Sequence, residues 1–308
     1  MYKPPVAFLV FNRPDCTRQV FEEIRRFKPT QLLIVADGPR PSVPTDVDRC
    51  EAVRKIVADI DWACEVQHNF AEHNLGCKVR VSSGLDWAFS VVEEAIILED
   101  DCLPSEDFFR FCSELLPRYR TESKVMHISG DNFQDGRIRG NGSYYFSRYT
   151  HVWGWASWRR AWQHYDVSMS SWPEARQRGW LRELGLDRVE REYWTGIFER
   201  AHAGGIDTWD YQWLYTCWRE RGVAIQPNVN LVTNIGASPD ATHTKEVSPL
   251  IGIPHGSLSR IVHRKRVRAD GKADRYSFEV CYGGAALRRE RSLLHRIKRR
   301  TWDQLSRK

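Results

Sequence analysis

Three consecutive carboxylates, Glu99, Asp100 and Asp101, directly follow the apolar run of residues 95–98. A short apolar run bounded by polar residues is typical of a buried strand, and open α/β sheets bind their ligands beyond the carboxyl ends of such strands. Because adjacent acids repel one another, a fold that holds them together usually compensates them with a cation or with solvent. The hard oxygen ligands of this triplet suit Mg²⁺ or Mn²⁺, whereas a solvated turn is the alternative that the triplet alone leaves open.

Asp210 is a second candidate for chemistry. It stands in the stretch Trp209-Asp210-Tyr211, which opens a predicted helix that runs to about residue 219. An acid in the first turn of a helix complements the helix dipole, and this is the ordinary explanation of such a residue. In a site, the same position gives an oriented carboxylate that can take a proton from a hydroxyl.

His243 is the third candidate, in a loop of small and hydroxyl-bearing residues over 234–244. A loop of this composition can fold over a ligand, and His243 could then meet a phosphate or the cation. A lone histidine in a loop is more often only solvated, so the neighbourhood decides between the two interpretations.

A strict alternation of strands and helices must position these groups. Strands are predicted at 6–11, 31–36, 64–68, 95–98 and 125–129, and helices at 17–27, 47–60, 74–91 and from 104–107 onward. Asp15 is predicted to cap the first helix. The alternation predicts a right-handed, doubly wound and mostly parallel α/β sheet of the Rossmann-like type.

Polar residues recur where these predicted strands end. Asn12 and Arg13 follow the first strand, Asp37 follows the second, and the acidic triplet follows the fourth. One ligand that spans this edge would touch all of them. No G-x-G-x-x-G or G-x-x-x-x-G-K-[ST] motif is present, so a diphosphate bound here would need a divalent cation rather than a glycine-rich cradle.

Ten of the 13 tryptophans lie between residues 151 and 220. Trp155, Trp158 and Trp162 recur at helical spacing, and the face that they form is interpreted as core. Trp153 and Gly154 precede that face, at a position where an aromatic platform could stack on a sugar ring. The composition thus predicts an aromatic-rich half that follows the sheet-forming half.

Length and cysteine usage bound the class of protein. The chain has 308 residues, enough for one large or two modest domains. Its eight cysteines are scattered, without a C-x-x-C pair or a histidine cluster, which argues against zinc or disulfide frameworks and indicates a reducing compartment. The sequence offers no apolar stretch long enough for a signal peptide or a membrane span, so a cytoplasmic protein is expected.

The net charge of +6 is unevenly distributed. Residues 261–308 carry 15 Lys and Arg against 5 Asp and Glu, so the tail is strongly basic and the body mildly acidic. A basic amphipathic helix is predicted from residue 287 onward, lying on an anionic membrane surface, packed against a partner, or simply solvated. This pattern is the basis for expecting peripheral contact with the inner face of a membrane.

The order of these parts resembles a known family. Four landmarks follow one another: a strand that ends in the acidic triplet, a helix opened by Asp107-Phe108-Phe109, the pair Gly154-Trp155, and Trp209-Asp210 ahead of Trp213. This order resembles nucleotide-sugar glycosyltransferases of the GT-A fold, most closely the N-acetylglucosaminyltransferase I-like group. The loop 234–244 is similar to one in related bacterial glycosyltransferases. The resemblance covers residues 6–245, and the chain departs from the eukaryotic relatives over 160–200 and in lacking an amino-terminal transmembrane anchor.

The resemblance implies an inverting, metal-dependent transfer of a sugar, a HexNAc among the candidates, from a nucleoside-diphosphate sugar to a saccharide or lipid-linked acceptor. It implies that Asp101 binds the cation that bridges the diphosphate, with Asp100 beside the sugar and ribose. Arg13 and Asp37 match nucleotide contacts of the family, and Asp210 matches its catalytic base. Nucleic acid is not an expected partner.

Taken together, the predicted site has one catalytic residue, one set of donor-binding residues and two metal ligands. The catalytic residue is Asp210, the donor-binding residues are Asn12, Arg13, Asp37, Glu99, Asp100, Trp153, Gly154 and His243, and the ligands of Mn²⁺ or Mg²⁺ are Asp101 and His243. The predicted domains are a GT-A domain over 1–260, with a nucleotide-binding half (1–130) and an acceptor-binding half (131–260), and a basic extension over 261–308.

Two other functions fit parts of the same pattern. A glycoside hydrolase with paired carboxylates and an aromatic cleft would explain the tryptophans, but not the polar residues Arg13 and Asp37 at the strand ends. A non-catalytic module that binds saccharide or nucleic acid would use the basic tail for phosphate contacts.

Overall fold

The computed structural model describes residues 2–236 and 249–292. Its strands are β1 (Val6–Val10), β2 (Gln31–Ala36), β3 (Glu65–Phe70), β4 (Glu94–Glu99), β5 (Cys102–Pro104), β6 (Val125–Ser129), β7 (Tyr144–Ser147), β8 (Trp155–Trp158), β9 (Val223–Pro227) and β10 (Val232–Asn234). Its helices are α1 (Pro14–Phe27), α2 (Thr45–Ala58), α3 (Gly76–Val91), α4 (Glu106–Tyr119), α5 (Arg159–Trp162), α6 (Trp172–Gln177), α7 (Arg188–His202), α8 (Asp210–Arg219) and α9 (Gly271–Cys281), with a 3₁₀ turn at Trp180–Arg182.

Eight of these strands form one mixed sheet in the order β3-β2-β1-β4-β8-β6-β9-β7. The pairs β2–β3, β1–β2, β1–β4 and β6–β9 are parallel, and β8 and β7 run against their neighbours. The predicted mostly parallel α/β class is therefore confirmed. A second, two-stranded antiparallel sheet joins β5 to β10.

Helices cover both faces of the large sheet, and a third apolar cluster lies among helices alone. On one face, α1, α2 and α4 pack around side chains such as Phe21 and Phe108. On the other, α3, α5 and α8 pack around Leu85 and Trp213. Because α8 also contributes Trp218 to the helical cluster of α6, α7 and α9, it joins that cluster to the sheet.

One predicted detail of the first helix is wrong. The helix α1 begins at Pro14, so Asp15 lies in its first turn and no side chain caps it. Proline suits this start because the first helical position needs no N–H donor. The predicted start of a helix within 104–107 is confirmed: α4 begins at Glu106, where the Ser105 hydroxyl accepts from the Phe108 amide, and Pro104 belongs to β5.

The predicted helical face of tryptophans is also wrong in conformation, although its burial is confirmed. Trp155 and Trp158 lie in strand β8, between β4 and β6. Because they are three residues apart in a strand, they face opposite sides of the sheet and enter different apolar clusters. Trp155, Trp158 and Trp162 are 1%, 1% and 3% exposed, so all three belong to the core.

Part of the basic carboxyl-terminal segment packs against the body. Phe278 of α9 is fully buried in the helical cluster, and the buried carboxylate of Asp274 accepts from Arg148 Nε at 3.0 Å and Ser147 Oγ at 2.7 Å. Residues 284–292 are helical, and the rest of the predicted amphipathic helix lies outside the described residues. In the described ranges, no helix is long and apolar enough to cross a membrane.

Candidate active site

A cleft of about 400 Å³ lies at the carboxyl edge of β1, β2 and β4. Strand β1 pairs in parallel with both neighbours, so that Leu9 lies opposite Glu99 and Val10 opposite Ala36. This pairing brings the residues that follow all three strands to one edge. The predicted site residues that line the cleft are Arg13, Asp37, Glu99, Asp100, Asp101, Trp153 and Asp210.

Arg13 bridges the last two acids of the triplet. Its Nη2 lies 2.5 Å from Asp100 Oδ1 and its Nη1 lies 2.9 Å from Asp101 Oδ2. The other oxygen of Asp100 accepts from the Phe11 amide at 3.1 Å, so this carboxylate, only 2% exposed, is held on both sides. Although burial opposes the charge, the attraction of Asp100 and Asp101 raises the pKa of Arg13.

The triplet carries more negative charge than Arg13 compensates. Burial raises the pKa of Glu99, and repulsion from Asp101 and Asp100 raises it further. Burial also raises the pKa of Asp100, against the attraction of Arg13. Since three carboxylates share one guanidinium, this end of the cleft favours an additional cation.

The chain that follows β10 passes directly over Asp101. The amide of Ile235 donates to the Asp101 carbonyl at 2.8 Å, and Asn234 pairs with Cys102. A Cβ at Gly236 would overlap Asp101 Oδ2 and lie 3.0 Å from Arg13 Nη1, so this close approach requires glycine. His243, which follows in this loop, lies outside the described residues, and its contact with phosphate or cation stays a prediction.

Asp37 fixes the loop that leads into α3. Its Oδ1 accepts from the amides of Gly38 at 2.8 Å and Leu75 at 2.9 Å, and its Oδ2 accepts from Asn74 Nδ2 at 3.0 Å. Burial raises the pKa of Asp37, although these hydrogen bonds act in the opposite direction. This carboxylate thus shapes the wall of the cleft as well as facing it.

Asn12 does not line the cleft. Its Nδ2 donates to Asp46 Oδ1 at 2.7 Å, and the fully buried Asp46 accepts from Arg40 Nε at 2.6 Å. Hydrogen bonds from Arg40 lower the pKa of Asp46. Arg40 does line the cleft, over the ring of Phe11 at 5.5 Å. Asn12 therefore acts on the cleft through Asp46 and Arg40.

Asp210 reaches the cleft from the first turn of α8. The hydroxyl of Thr208 donates to its Oδ1. The preceding Trp209 is 2% exposed and stacks on Trp155 at 5.4 Å, which anchors the start of the helix in the core. Asp210 also contributes to the raised pKa of Glu99, after burial and the neighbouring acids. The carboxylates that end β4 and begin α8 are therefore close enough to repel one another.

Asp207, which sequence reasoning did not identify, ties this loop to the sheet half of the chain. Its Oδ1 accepts from the Lys78 amide at 3.1 Å in the first turn of α3. Gly76 has a φ of +78° and its absent Cβ would lie 3.2 Å from Asp207 Oδ2, which allows the close approach. The bond helps to hold the segment before Asp210 against the cleft.

Trp153 and Gly154 have different roles. Trp153 lines the cleft, its amide donates to Asp131 Oδ2 at 3.0 Å, and its ring meets the edge of Phe133 at 5.4 Å. Gly154 does not line the cleft. It has a φ of +67° and a Cβ there would lie 2.7 Å from Val232 Cγ2, so it turns the chain tightly into β8.

His127, a fully buried residue of β6, connects the two sides of the cleft. Its Nε2 donates to the His151 carbonyl at 2.7 Å, and Trp213 Nε1 donates to its Nδ1 at 3.2 Å. Burial lowers the pKa of His127 to about 3, so the ring is neutral and this assignment of the proton satisfies both partners. The histidine therefore fixes α8 relative to the segment that carries Trp153.

The cleft as a whole carries an excess of negative charge. Six carboxylates and three guanidiniums line it: Asp37, Glu99, Asp100, Asp101, Asp207 and Asp210, with Arg13, Arg40 and Arg80. An anionic ligand such as a diphosphate would be repelled without a cation. Among the described residues, no three His, Cys, Asp or Glu side chains form a complete metal site. The donor set fits a Mg²⁺ or Mn²⁺ that takes one or two carboxylates and completes its coordination with water and phosphate oxygens.

Comparisons with solved structures give distant likenesses. No family model matches the chain, and no curated protein matches it. The solved structure of 4-diphosphocytidyl-2C-methyl-D-erythritol synthase from Anaerococcus prevotii is 11% identical, with a TM-score of 0.31 over 51% of this chain and 72% of that chain. A UDP-glucose pyrophosphorylase complexed with UDP-glucose is 10% identical, with a TM-score of 0.24 over 44% of this chain and 65% of that chain. At these scores neither likeness carries an argument about activity.

Proposed function

We propose that the chain is an inverting, metal-dependent glycosyltransferase of the GT-A type. It would move a sugar from a nucleoside-diphosphate sugar to a hydroxyl of a saccharide or lipid-linked acceptor. The observation that supports this proposal best is the meeting of two groups in one cleft: the acidic triplet with Arg13 at the sheet edge, and Asp210 at the start of α8.

The size and lining of the cleft suit a nucleotide sugar. A volume of about 400 Å³ lies within the range of small-molecule sites. Asp37 and Arg80 offer polar groups on the β2 and α3 side, where the nucleoside would bind. The diphosphate would then lie beside the triplet that ends β4.

Asp101 would hold the cation together with the diphosphate of the donor. When bound, such a cation stabilises the negative charge that develops on the departing nucleoside diphosphate. Asp100 and Arg13 keep the carboxylate of Asp101 in place, since all three are joined through the guanidinium. Arg13, which contacts both acids, is also a cation that could turn toward a phosphate oxygen.

Asp210 would act as the general base. It would take the proton from the acceptor hydroxyl while the oxygen forms a bond to the anomeric carbon and the bond from that carbon to the phosphate oxygen breaks. A single displacement from the opposite face inverts the anomeric centre. The hydrogen bond from Thr208 orients the carboxylate for this task.

A glycoside hydrolase is the second candidate, because one observation favours it. The raised pKa of Glu99 would keep a neutral carboxylic acid in the same cleft as Asp210, and an acid paired with a carboxylate is the arrangement of glycosidases. Dependence on an activated donor separates the two functions. A hydrolase would release sugar from an oligosaccharide without any nucleotide sugar.

Thermal melting against a panel of nucleotide sugars, with and without Mn²⁺, tests the proposal. A ligand that binds only the folded state raises the free energy of unfolding by mass action, by about 3 kcal/mol at a hundredfold excess over Kd, and the melting temperature rises with it. We expect one donor to raise the melting temperature only when Mn²⁺ is present. If no nucleotide sugar shifts it under either condition, the proposed function is wrong.

A further inference from the structure

A second cavity, of about 640 Å³, lies among the helices and shares no lining residue with the cleft. It is formed by α6, the 3₁₀ turn and α7. Four arginines line it, Arg176, Arg182, Arg188 and Arg191, together with a single acid, Glu192. Its charge is therefore opposite to that of the cleft.

The positive charge does not follow from the composition of these elements, because their acids face elsewhere. Glu174, Glu183, Asp187 and Glu190 belong to the same stretch of chain, yet none lines the cavity. Asp187 and Glu190 form the capping box of α7, and Glu183 lies 3.6 Å from Arg221. Four of the five arginines of this stretch therefore line the cavity, whereas four of its five acids do not.

The one acid of the cavity is already compensated. Glu192 Oε1 lies 2.9 Å from Arg188 Nε, and its Oε2 is paired with Arg291. This carboxylate therefore offers little charge to the other arginines of the lining.

Two of the arginines keep uncompensated charge. Arg191 Nη1 donates to the Leu186 carbonyl at 2.5 Å, which satisfies one N–H but leaves the positive charge of the guanidinium without a counter-charge. Arg182 forms no ion pair within residues 2–236 and 249–292. A guanidinium binds carboxylates and phosphates through two parallel hydrogen bonds, so Arg182 and Arg191 are suited to an anionic ligand.

The wall behind these arginines is aromatic and largely buried. Trp172 and Trp180 line the cavity and are only 2% and 4% exposed, held in the core by Tyr215, whose ring lies 5.8 Å and 5.6 Å from theirs. The volume is larger than a single phosphate or carboxylate fills. An apolar wall beside hydrogen-bonding cations is the pattern of sites that take up molecules with both C–H surfaces and charged groups.

We propose that this cavity binds an acidic saccharide, one whose sugar units carry carboxylate or phosphate groups. The helix α7 packs on α8, whose first residue is Asp210. Identifying the bound saccharide as the distal part of the acceptor rests on the function proposed above. The proposal that an acidic saccharide binds here does not rest on that function, because this binding needs neither donor nor metal.

Calorimetric titration with a tetragalacturonate, whose sugar units carry carboxylates, tests the site, with maltotetraose as the neutral probe of equal length. We expect binding of the acidic probe alone, weakened by salt. The variants Arg182→Ala and Arg191→Ala should each weaken it about tenfold, the effect of one lost charge-assisted contact. Arg178→Ala is the matched control, since Arg178 lies on the same segment, is 54% exposed and does not line the cavity.

Equal affinity for the two probes would overturn the proposal. It would also be overturned if R182A and R191A bound tetragalacturonate as tightly as the wild type while melting at the same temperature. Binding of a phosphorylated oligosaccharide but not of tetragalacturonate, lost in the same two variants, would support it and name phosphate as the anionic group. A titration of the same samples with nucleotide sugar and Mn²⁺ reports the cleft separately, so failure of either site is recognised on its own.

Discussion

Replacing Arg13 by alanine should destabilise the protein through Asp100. The Asp100 side chain is 3% exposed and has no cation within ion-pair distance other than Arg13 among the described residues. Removing one member of a buried ion pair typically costs about 3–5 kcal/mol. Part of this cost is avoided because Asp100 can take up a proton, its pKa being raised already by burial. We therefore expect a loss of about 3 kcal/mol, which lowers the Tm of a chain of 308 residues by about 5 °C.

Arg25→Ala is the matched control. Arg25, in helix α1, is 22% exposed, compared with 23% for Arg13 just before that helix, but its partners Glu22, Asp59 and Asp61 are 42%, 79% and 64% exposed. Ion pairs of this exposed kind contribute at most about 1 kcal/mol, so the Tm should fall by no more than about 2 °C.

Differential scanning calorimetry, with and without Mn²⁺, measures both effects. The cation should restore part of the Tm lost in R13A, because it supplies positive charge beside Asp100 and Asp101, and should affect the Tm of R25A no more than that of the wild type. Equal losses of Tm in the two variants would refute the view that Arg13 compensates the triplet. A Tm of R13A that Mn²⁺ does not raise would refute the assignment of the cation to these carboxylates.

Three further results are expected. Asp101→Ala should abolish Mn²⁺-dependent binding of nucleoside diphosphate while the fold persists, and calorimetry with unchanged affinity would contradict the role of Asp101. Gly236→Ala should weaken the same binding by about tenfold or more, because its Cβ displaces the Asp101 carboxylate; an unaltered Kd would show that the loop adjusts freely. The contribution of His127 should lower stability as the pH drops from about 6.5 toward 3, since the unfolded chain then protonates His127 and the folded chain, with a pKa near 3, does not. His127→Gln should make the Tm depend less on pH over this range. The same slope of Tm against pH in the variant and the wild type would contradict the view that His127 stays neutral in the folded chain.

The sheet edge of the site was predictable because it depends on topology alone. Once the strands before Arg13, Asp37 and Glu99 are recognised as neighbours in a parallel sheet, their carboxyl ends must meet. The position of Asp210 in the first turn of a helix was also readable from the aromatic and polar pattern around it.

Features set by long-range pairing were not predictable. Strand β5 exists because it pairs with β10, about 130 residues later, and Trp155 is in a strand because β4 and β6 flank it. Local spacing cannot distinguish such strands from turns or helices. Arg40 and Asp207 were missed for the same reason, since their places in the cleft depend on Asp46 and on the start of α3.

The most direct test of the account is the reaction of Asp210→Asn. With the donor identified by thermal melting, release of nucleoside diphosphate in the presence of saccharide acceptors should fall by about 10²- to 10⁴-fold, the usual effect of losing a general base. The Kd of the variant for the donor with Mn²⁺ should remain that of the wild type. Transfer at the wild-type rate by D210N would contradict the central claim that Asp210 takes the acceptor proton in this cleft.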